Sequence, residues 1–171
     1  MYLPSWLVSE LVVADTSPLI FLDGVGCLGL LSALYGRILV PDAVAQEIAD
    51  GLALGLPGPV LLALPWVSVM PSGEDKRVTE HRLSSHLGAG ERAALTLALA
   101  TSGAAVLMDE RDGRTVAADL SLSRVGTLSI LVRAKRIGLL PAVAPVLDRL
   151  DTLHFRVDPG LRLQVLAAAG E

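Results

Sequence analysis

The sequence predicts an α/β protein, a three-layer α/β/α sandwich around a central, mainly parallel sheet. One observation is that two unbroken apolar runs, Leu11-Val-Val-Ala14 and Ala104-Ala-Val-Leu-Met108, each stop at a carboxylate, Asp15 and Asp109. Continuous apolar runs of this length read as strands buried on both faces, which is the habit of parallel sheets covered by helices. Another is that strand patterns alternate with helical ones along the whole chain, the order expected of such a sandwich. A third is composition. With 52% hydrophobic and only 4% aromatic residues, the core has to be built from Leu, Val, Ile and Ala. A chain of 171 residues is long enough to bury a sizeable core and is most simply one domain. That reading gives a core over about residues 11–157 and a C-terminal helix over residues 158–169.

The first strand should run straight into a helix, with Ser17 as N-cap and Pro18 at the first helical position, where its missing N–H has no partner to lose. Asp23-Gly24 reads as a turn, and residues 26–35 carry leucines at helical spacing up to a stop at Gly36. Arg37-Ile-Leu-Val40 is a short second strand. Pro41-Asp42 opens the next helix, with Asp42 as N-cap and Val44 and Ile48 on its inner face. Trp66-Val-Ser-Val-Met70 reads as a third strand. Residues 73–86 are the most polar part of the chain and read as a solvated helix or mobile arm. Gly88-Ala-Gly90 breaks the chain before a helix beginning at Glu91. After Asp109, Gly113 turns the chain and residues 114–120 resume a helix. Ser123-Arg-Val-Gly-Thr127 is a strand leading into a helix over residues 128–137, and Gly138 and Pro141 separate that helix from one ending at Leu150.

The formal charge of −4 argues against a protein that coats nucleic acid through bulk positive charge. The single cysteine, Cys27, permits no disulfide within the chain, so a reducing cytoplasm is the expected setting and a buried thiol its expected role. The start Met1-Tyr-Leu-Pro-Ser-Trp6 lacks the basic region and apolar block of a secretory signal. Mean hydropathy is high, +0.57, and residues 51–73 contain no charge. Pro57, Pro59, Pro65 and Pro71 interrupt that stretch, however, and would leave backbone groups unpaired in hydrocarbon, so no membrane span is expected.

Two buried strands that each deliver an aspartate to one edge of a parallel sheet place Asp15 and Asp109 where open α/β sheets bind ligands. Glu47 borders the buried stripe of its helix, and Glu91 lies on the face continued by Leu95 and Leu99. Each carboxylate also has an ordinary explanation: Asp15 in a tight turn, Glu91 in a first helical turn where acidic residues favour the dipole. Together they repel one another and call for a cation. Oxygen-only ligands suit Mg²⁺ or Mn²⁺ in preference to zinc, and the three histidines are spaced wrongly for one helical face or lie far apart. Such a site best supports attack on a phosphodiester, with Ser17 binding water or a phosphate oxygen.

The combination of Asp15-Thr-Ser-Pro-Leu, Pro41-x-x-Val-x-x-Glu47, Leu87-Gly-x-Gly-Glu91-x-x-Ala, Leu107-Met-Asp109-Glu-Arg and Val125-Gly-Thr127 resembles the PIN-domain family. It is most similar to the prokaryotic, VapC-like subgroup that opens with Asp-Thr-Ser-Pro, and the resemblance runs from about Val12 to the end. It implies a divalent-metal-dependent endoribonuclease, often the toxin of a toxin–antitoxin pair held inactive by a small protein partner. Asp15, Glu47 and Asp109 match the family's metal-binding carboxylates, Glu91 stands where many relatives have Asp, and Glu110 and Asp112 both lie close enough to substitute for or assist Asp109. The metal count stays open for that reason. RNA needs positive charge beside the acidic site. Arg111, Arg114, Arg124, Arg133, Lys135 and Arg136 follow Asp109 closely, and Arg111, Arg114 and Thr127 join Ser17 as expected substrate-binding residues. A homo-oligomer or protein partner is also expected, because the high apolar fraction leaves patches in need of cover. Two alternatives stand beside this reading. One is a non-catalytic PIN-like binding module; the other is a haloacid-dehalogenase-like phosphatase, which would want an aspartate where this chain has Ser17.

Overall fold

The computed structural model describes residues 11–171; the start Met1-Tyr-Leu-Pro-Ser-Trp6 lies outside the described residues. Within them the strands are β1 (Val12–Ala14), β2 (Ile38–Pro41), β3 (Val67–Met70), β4 (Ala105–Leu107) and β5 (Ser123–Val125). They form one sheet in the order β3-β2-β1-β4-β5, and every neighbouring pair is parallel. The helices are α1 (Thr16–Gly24), α2 (Gly29–Tyr35), α3 (Asp42–Ala53), α4 (Lys76–Thr79), α5 (Ala89–Ala100), α6 (Arg111–Asp119), α7 (Thr127–Arg136), α8 (Ala144–Thr152) and α9 (Pro159–Ala169).

Strand side chains alternate between two apolar layers, as period-two geometry requires. Val12, Ala14, Ile38, Val40, Ala105 and Leu107 join a core with Leu19 and Leu22 of α1, Leu31 of α2, Ile130 and Leu131 of α7, and Leu147 and Leu150 of α8. Val13, Leu39 and Val106 point the other way, into a second core with Ala94 and Leu95 of α5, Val116 and Ala117 of α6, and Val78 of α4. Both faces of the sheet are therefore covered, which is why the central strands read as uninterrupted apolar runs. The result is the expected three-layer α/β/α arrangement.

Local chemistry shifts several expected boundaries. Helix α1 begins at Thr16, so Asp15, not Ser17, is its N-cap residue, and Asp15 makes no side-chain capping bond. Pro18 consequently lies deeper in the first turn, still where its missing N–H breaks no helical bond. Asp42 is the first residue of α3 and not its cap. Its carboxylate accepts from the Ala43 amide and the Ser72 hydroxyl, at 2.9 and 3.0 Å, tying the start of α3 to the exit from β3. The polar segment is no free arm. Asp75 caps α4 by accepting from the Arg77 amide, and Val78 is completely buried.

The uncharged stretch of residues 51–73 divides into the end of α3, a 3₁₀ turn at Leu61–Ala63 and the edge strand β3. No single helix among the described residues is long and apolar enough to cross a membrane. The apolar pair α1 and α2 is bent by 116°, and Leu19, Leu22 and Leu31 of that pair are wholly buried in the core.

Candidate active site at the carboxyl edge of the sheet

The order β3-β2-β1-β4-β5 puts the switch in winding direction between β1 and β4, and the chain leaves both strands at the same edge. Asp15 follows β1 directly and its amide donates to the Leu107 carbonyl at 3.0 Å, so the two strand ends are stitched together at the residues that carry the acids. A crevice at such a switch point is the usual ligand site of an open parallel sheet. Asp15 is only 2% exposed. Burial is the main force pushing its carboxyl up to about 7; the negative charges of Glu91, Glu47 and Asp109 push the same way and the Thr16 amide opposes them.

Asp109 is also raised, first by burial and in part by Glu110, against bonds from Thr127 and the positive charge of Arg114. Thr127, expected among the substrate-binding residues, is fully buried. Its amide donates to Asp109 Oδ1 at 2.8 Å and its hydroxyl to Oδ2 at 2.6 Å. Thr127 therefore holds Asp109 in place and presents no group to a substrate. Glu91, at the third position of α5, accepts from the Gly88 amide at 2.8 Å, a bond that turns its carboxylate back over the helix start. Burial raises Glu91 as well, with Glu110, Asp112 and Glu47 adding to the shift. The mutual repulsion among these groups places the expected acids, Asp15, Glu47, Glu91, Asp109, Glu110 and Asp112, in one electrostatic neighbourhood.

Glu47 is the most solvent-facing of the inner four and is held by two donors that periodicity does not reveal. The Thr16 hydroxyl donates to its Oε2 at 2.6 Å and the Gly90 amide to its Oε1 at 2.8 Å. Gly90 is glycine for a steric reason: a Cβ there would lie 2.6 Å from Glu47 Oε2 and 3.0 Å from the Thr16 hydroxyl. Thr16 is thus the position of the Asp-Thr-Ser-Pro stretch with a visible job, whereas Ser17 is half-buried in the first turn of α1. Asp112 is paired with His86, whose Nδ1 is 3.0 Å from its Oδ2, at the rim of the site. Arg114 donates to the Met108 carbonyl at 3.0 Å and stands beside Asp109, while Arg111 is exposed.

Among the described residues no three Asp, Glu, His or Cys side chains stand close enough together to hold a metal ion as they are placed. The inner carboxylates are turned towards protein donors instead: Glu47 to Thr16 and Gly90, Glu91 to Gly88, Asp109 to Thr127. The donor chemistry nonetheless fits a hard divalent cation. The ligands are all oxygen, and burial, with repulsion from neighbouring carboxylates behind it, raises Asp15, Glu91 and Asp109, so a cation bound among them would offset charge that the fold disfavours.

No curated protein and no solved structure gives a significant match to the sequence. A family model does: DUF3368, described as a PIN domain, matches residues 11–171. PIN domains are generally nucleases and typically use divalent metals. The match spans the whole described chain, from β1 through α9, and on that extent the chain belongs to the PIN-domain family.

Proposed function

We propose that the protein is a metal-dependent endoribonuclease of the VapC-like kind, hydrolysing RNA phosphodiester bonds with Mg²⁺ or Mn²⁺ and acting in the cytoplasm as the toxin of a toxin–antitoxin pair. The observation that carries the nuclease reading is Asp15. A carboxylate buried at the switch point of the sheet, raised to about 7 and facing the charges of Glu91, Glu47 and Asp109, is costly for the fold and useful for binding a cation. Asp15, Glu47, Glu91 and Asp109 would hold the metal, with Glu110 and Asp112 at the rim. When bound, the metal activates water and offsets charge on the phosphate. The chain's own residues orient the donors: Thr127 fixes both oxygens of Asp109, Thr16 and Gly90 fix Glu47, and Gly88 fixes Glu91. Arg114, beside Asp109, supplies positive charge for a phosphate at the acidic edge. Incubation of purified protein with a mixed RNA pool tests the reading: cleavage is expected with Mg²⁺ or Mn²⁺ and none with EDTA, and intact RNA under every metal condition would refute it.

Gly90→Ala tests the orientation of Glu47. The new methyl group must displace the Glu47 carboxylate, which is free to swing outward, while the α5 backbone gains up to about 1 kcal/mol in helix propensity. Cleavage is expected to fall about 10- to 100-fold, the usual cost of a lost orienting contact, with little change in melting temperature. Equal losses in stability and activity would make Gly90 merely a packing position.

A partner or second copy is supported by apolar surface along one stretch of chain, where Leu54, Leu56, Val60 and Leu62 are 81, 57, 61 and 94% exposed. Sedimentation at micromolar concentration is expected to show self-association, or co-expression with a small cognate protein a stable complex. A monomer that recovers no partner would remove this part of the proposal.

A further inference from the structure

Beside Asp109 a cavity of about 960 Å³ opens between α7 and α9, at the upper end of the range for small-ligand sites. The cavity meets the acidic site at Asp109, which contributes to its wall with Arg114 and Gly126. Its floor is apolar, from Leu128 and Val132 of α7 and Val165 and Ala168 of α9, and Phe155 adds an aromatic ring braced edge-on by Phe21 at 4.9 Å. Four arginines, Arg114, Arg133, Arg136 and Arg156, share the lining with a single acid, Asp109. Arg133 is held over the Tyr35 ring, Arg136 donates through Nε to the Ala168 carbonyl at 2.8 Å and Arg114 to the Met108 carbonyl at 3.0 Å, so three of the four cations are already oriented by the fold. Gln164 brings a donor and an acceptor together at the wall.

We propose that this cavity is a nucleotide subsite that receives the base and phosphate of the RNA residue next to the scissile phosphodiester. The proposal rests on the ribonuclease reading for its substrate. A ligand that enters from the carboxylates must be continuous with whatever they act on, and it must offer both an anionic group for arginines and a flat apolar face. A single-stranded nucleotide does both: its phosphate pairs with guanidinium groups, its base stacks on an aromatic ring, and Gln164 can hydrogen-bond its edge. An acidic peptide would satisfy the arginines and leave the aromatic and apolar floor to chance side chains. The net charge of −4 is consistent with this arrangement, because four of the fourteen Lys and Arg residues line this one cavity, where they direct a polyanion locally.

The test uses full-length protein carrying Asp15→Asn, which keeps RNA intact, and fluorescence anisotropy with short single-stranded oligonucleotides of four base compositions. Val132→Phe fills the floor and Arg156→Glu reverses an exposed charge at the wall without touching the core. Each is expected to weaken oligonucleotide binding at least about tenfold, and in the otherwise wild-type protein each should flatten the base preference at one position flanking the cut in a randomised RNA pool. Arg156→Glu carries the test alone if Val132→Phe fails to fold. Unchanged affinity and unchanged base preference in a protein that cuts RNA would overturn the subsite and leave the ribonuclease standing. Oligonucleotide binding that the variants weaken, in a protein that never cuts RNA, would keep the cavity as a nucleotide site and overturn the ribonuclease reading together with the place beside a scissile bond. Displacement of bound oligonucleotide by a mononucleotide supports the assignment. Capture of an acidic peptide with no nucleotide binding overturns it.

Discussion

Asp15→Asn is expected to abolish RNA cleavage while making the metal-free protein more stable. Asn preserves the size of the side chain and one acceptor oxygen but removes the charge, so a cation held by carboxylates loses an anionic ligand at the most buried of its positions. Loss of an outer-shell contact alone commonly costs 10- to 100-fold; loss of a ligand should exceed about 100-fold. Stability moves the other way because the native fold at neutral pH holds this carboxylate where burial and three negative neighbours disfavour its charge. A shift from 3.8 to about 7 corresponds to at most about 4 kcal/mol of destabilisation once the group is fully ionised. Even a fraction of that, relieved in the variant, raises the melting temperature of a chain this size by several degrees, at about 2–4 °C per kcal/mol. A purely structural cap would behave differently. Asn fills the N-cap position about as well as Asp, so unchanged cleavage with unchanged melting would leave Asp15 a position of the strand-to-helix turn only.

The parts of the molecule that follow from local pattern were readable in the sequence, and those made by distant contacts were not. The runs that became β1 and β4 are apolar on both faces because helices cover both faces of the sheet, and that doubled burial is visible as an absence of alternation. Asp15 and Asp109 were legible for the same reason, as the first charges after each run. Ser17-Pro18 is a strong local start signal and puts the cap of α1 at Ser17, whereas the actual start is set by β1 ending at Ala14 and the Asp15 amide pairing with Leu107 across the sheet. Thr16 and Gly90 hold Glu47 from 31 and 43 residues away, and no periodicity encodes a contact of that kind. A signal did exist for Gly90: a glycine inside the first turn of a helix is unfavourable enough to need a steric reason. Thr127 stands in the Val-Gly-Thr motif, but only the folded chain shows that its hydroxyl and amide close on Asp109. The cavity between α7 and α9 was wholly hidden, as its wall combines residues from α6, α7, α9 and the segment before α9.

The remaining large effect is a pH dependence that metal should invert. Asp15 has a folded-state pKa above its unfolded value, so its contribution to stability is fully present below about 3.8, where both states are protonated, and is lost as pH rises through about 7. Asp109 and Glu91, also raised, add to the same trend. Carboxylates with lowered values, Asp42, Asp75 and Glu171, act in the opposite direction, but their contributions are lost only in more acid solution, beneath the ordinary carboxylate range. Between pH 5.5 and 8 the acidic cluster therefore dominates among the shifted carboxylates, and the metal-free protein is expected to melt several degrees lower at pH 8 than at pH 5.5. A divalent cation binds only the ionised carboxylates and stabilises the folded state in proportion to the logarithm of its concentration over the dissociation constant. Millimolar Mg²⁺ or Mn²⁺ should accordingly raise the melting temperature little at pH 5.5 and strongly at pH 8, flattening or reversing the slope. Thermal melts at four pH values, with EDTA and with each metal, check both slopes, and Asp15→Asn isolates the contribution of one group. A wild-type protein whose melting falls with pH equally in metal and in EDTA would show that the carboxylates repel one another without forming a cation site.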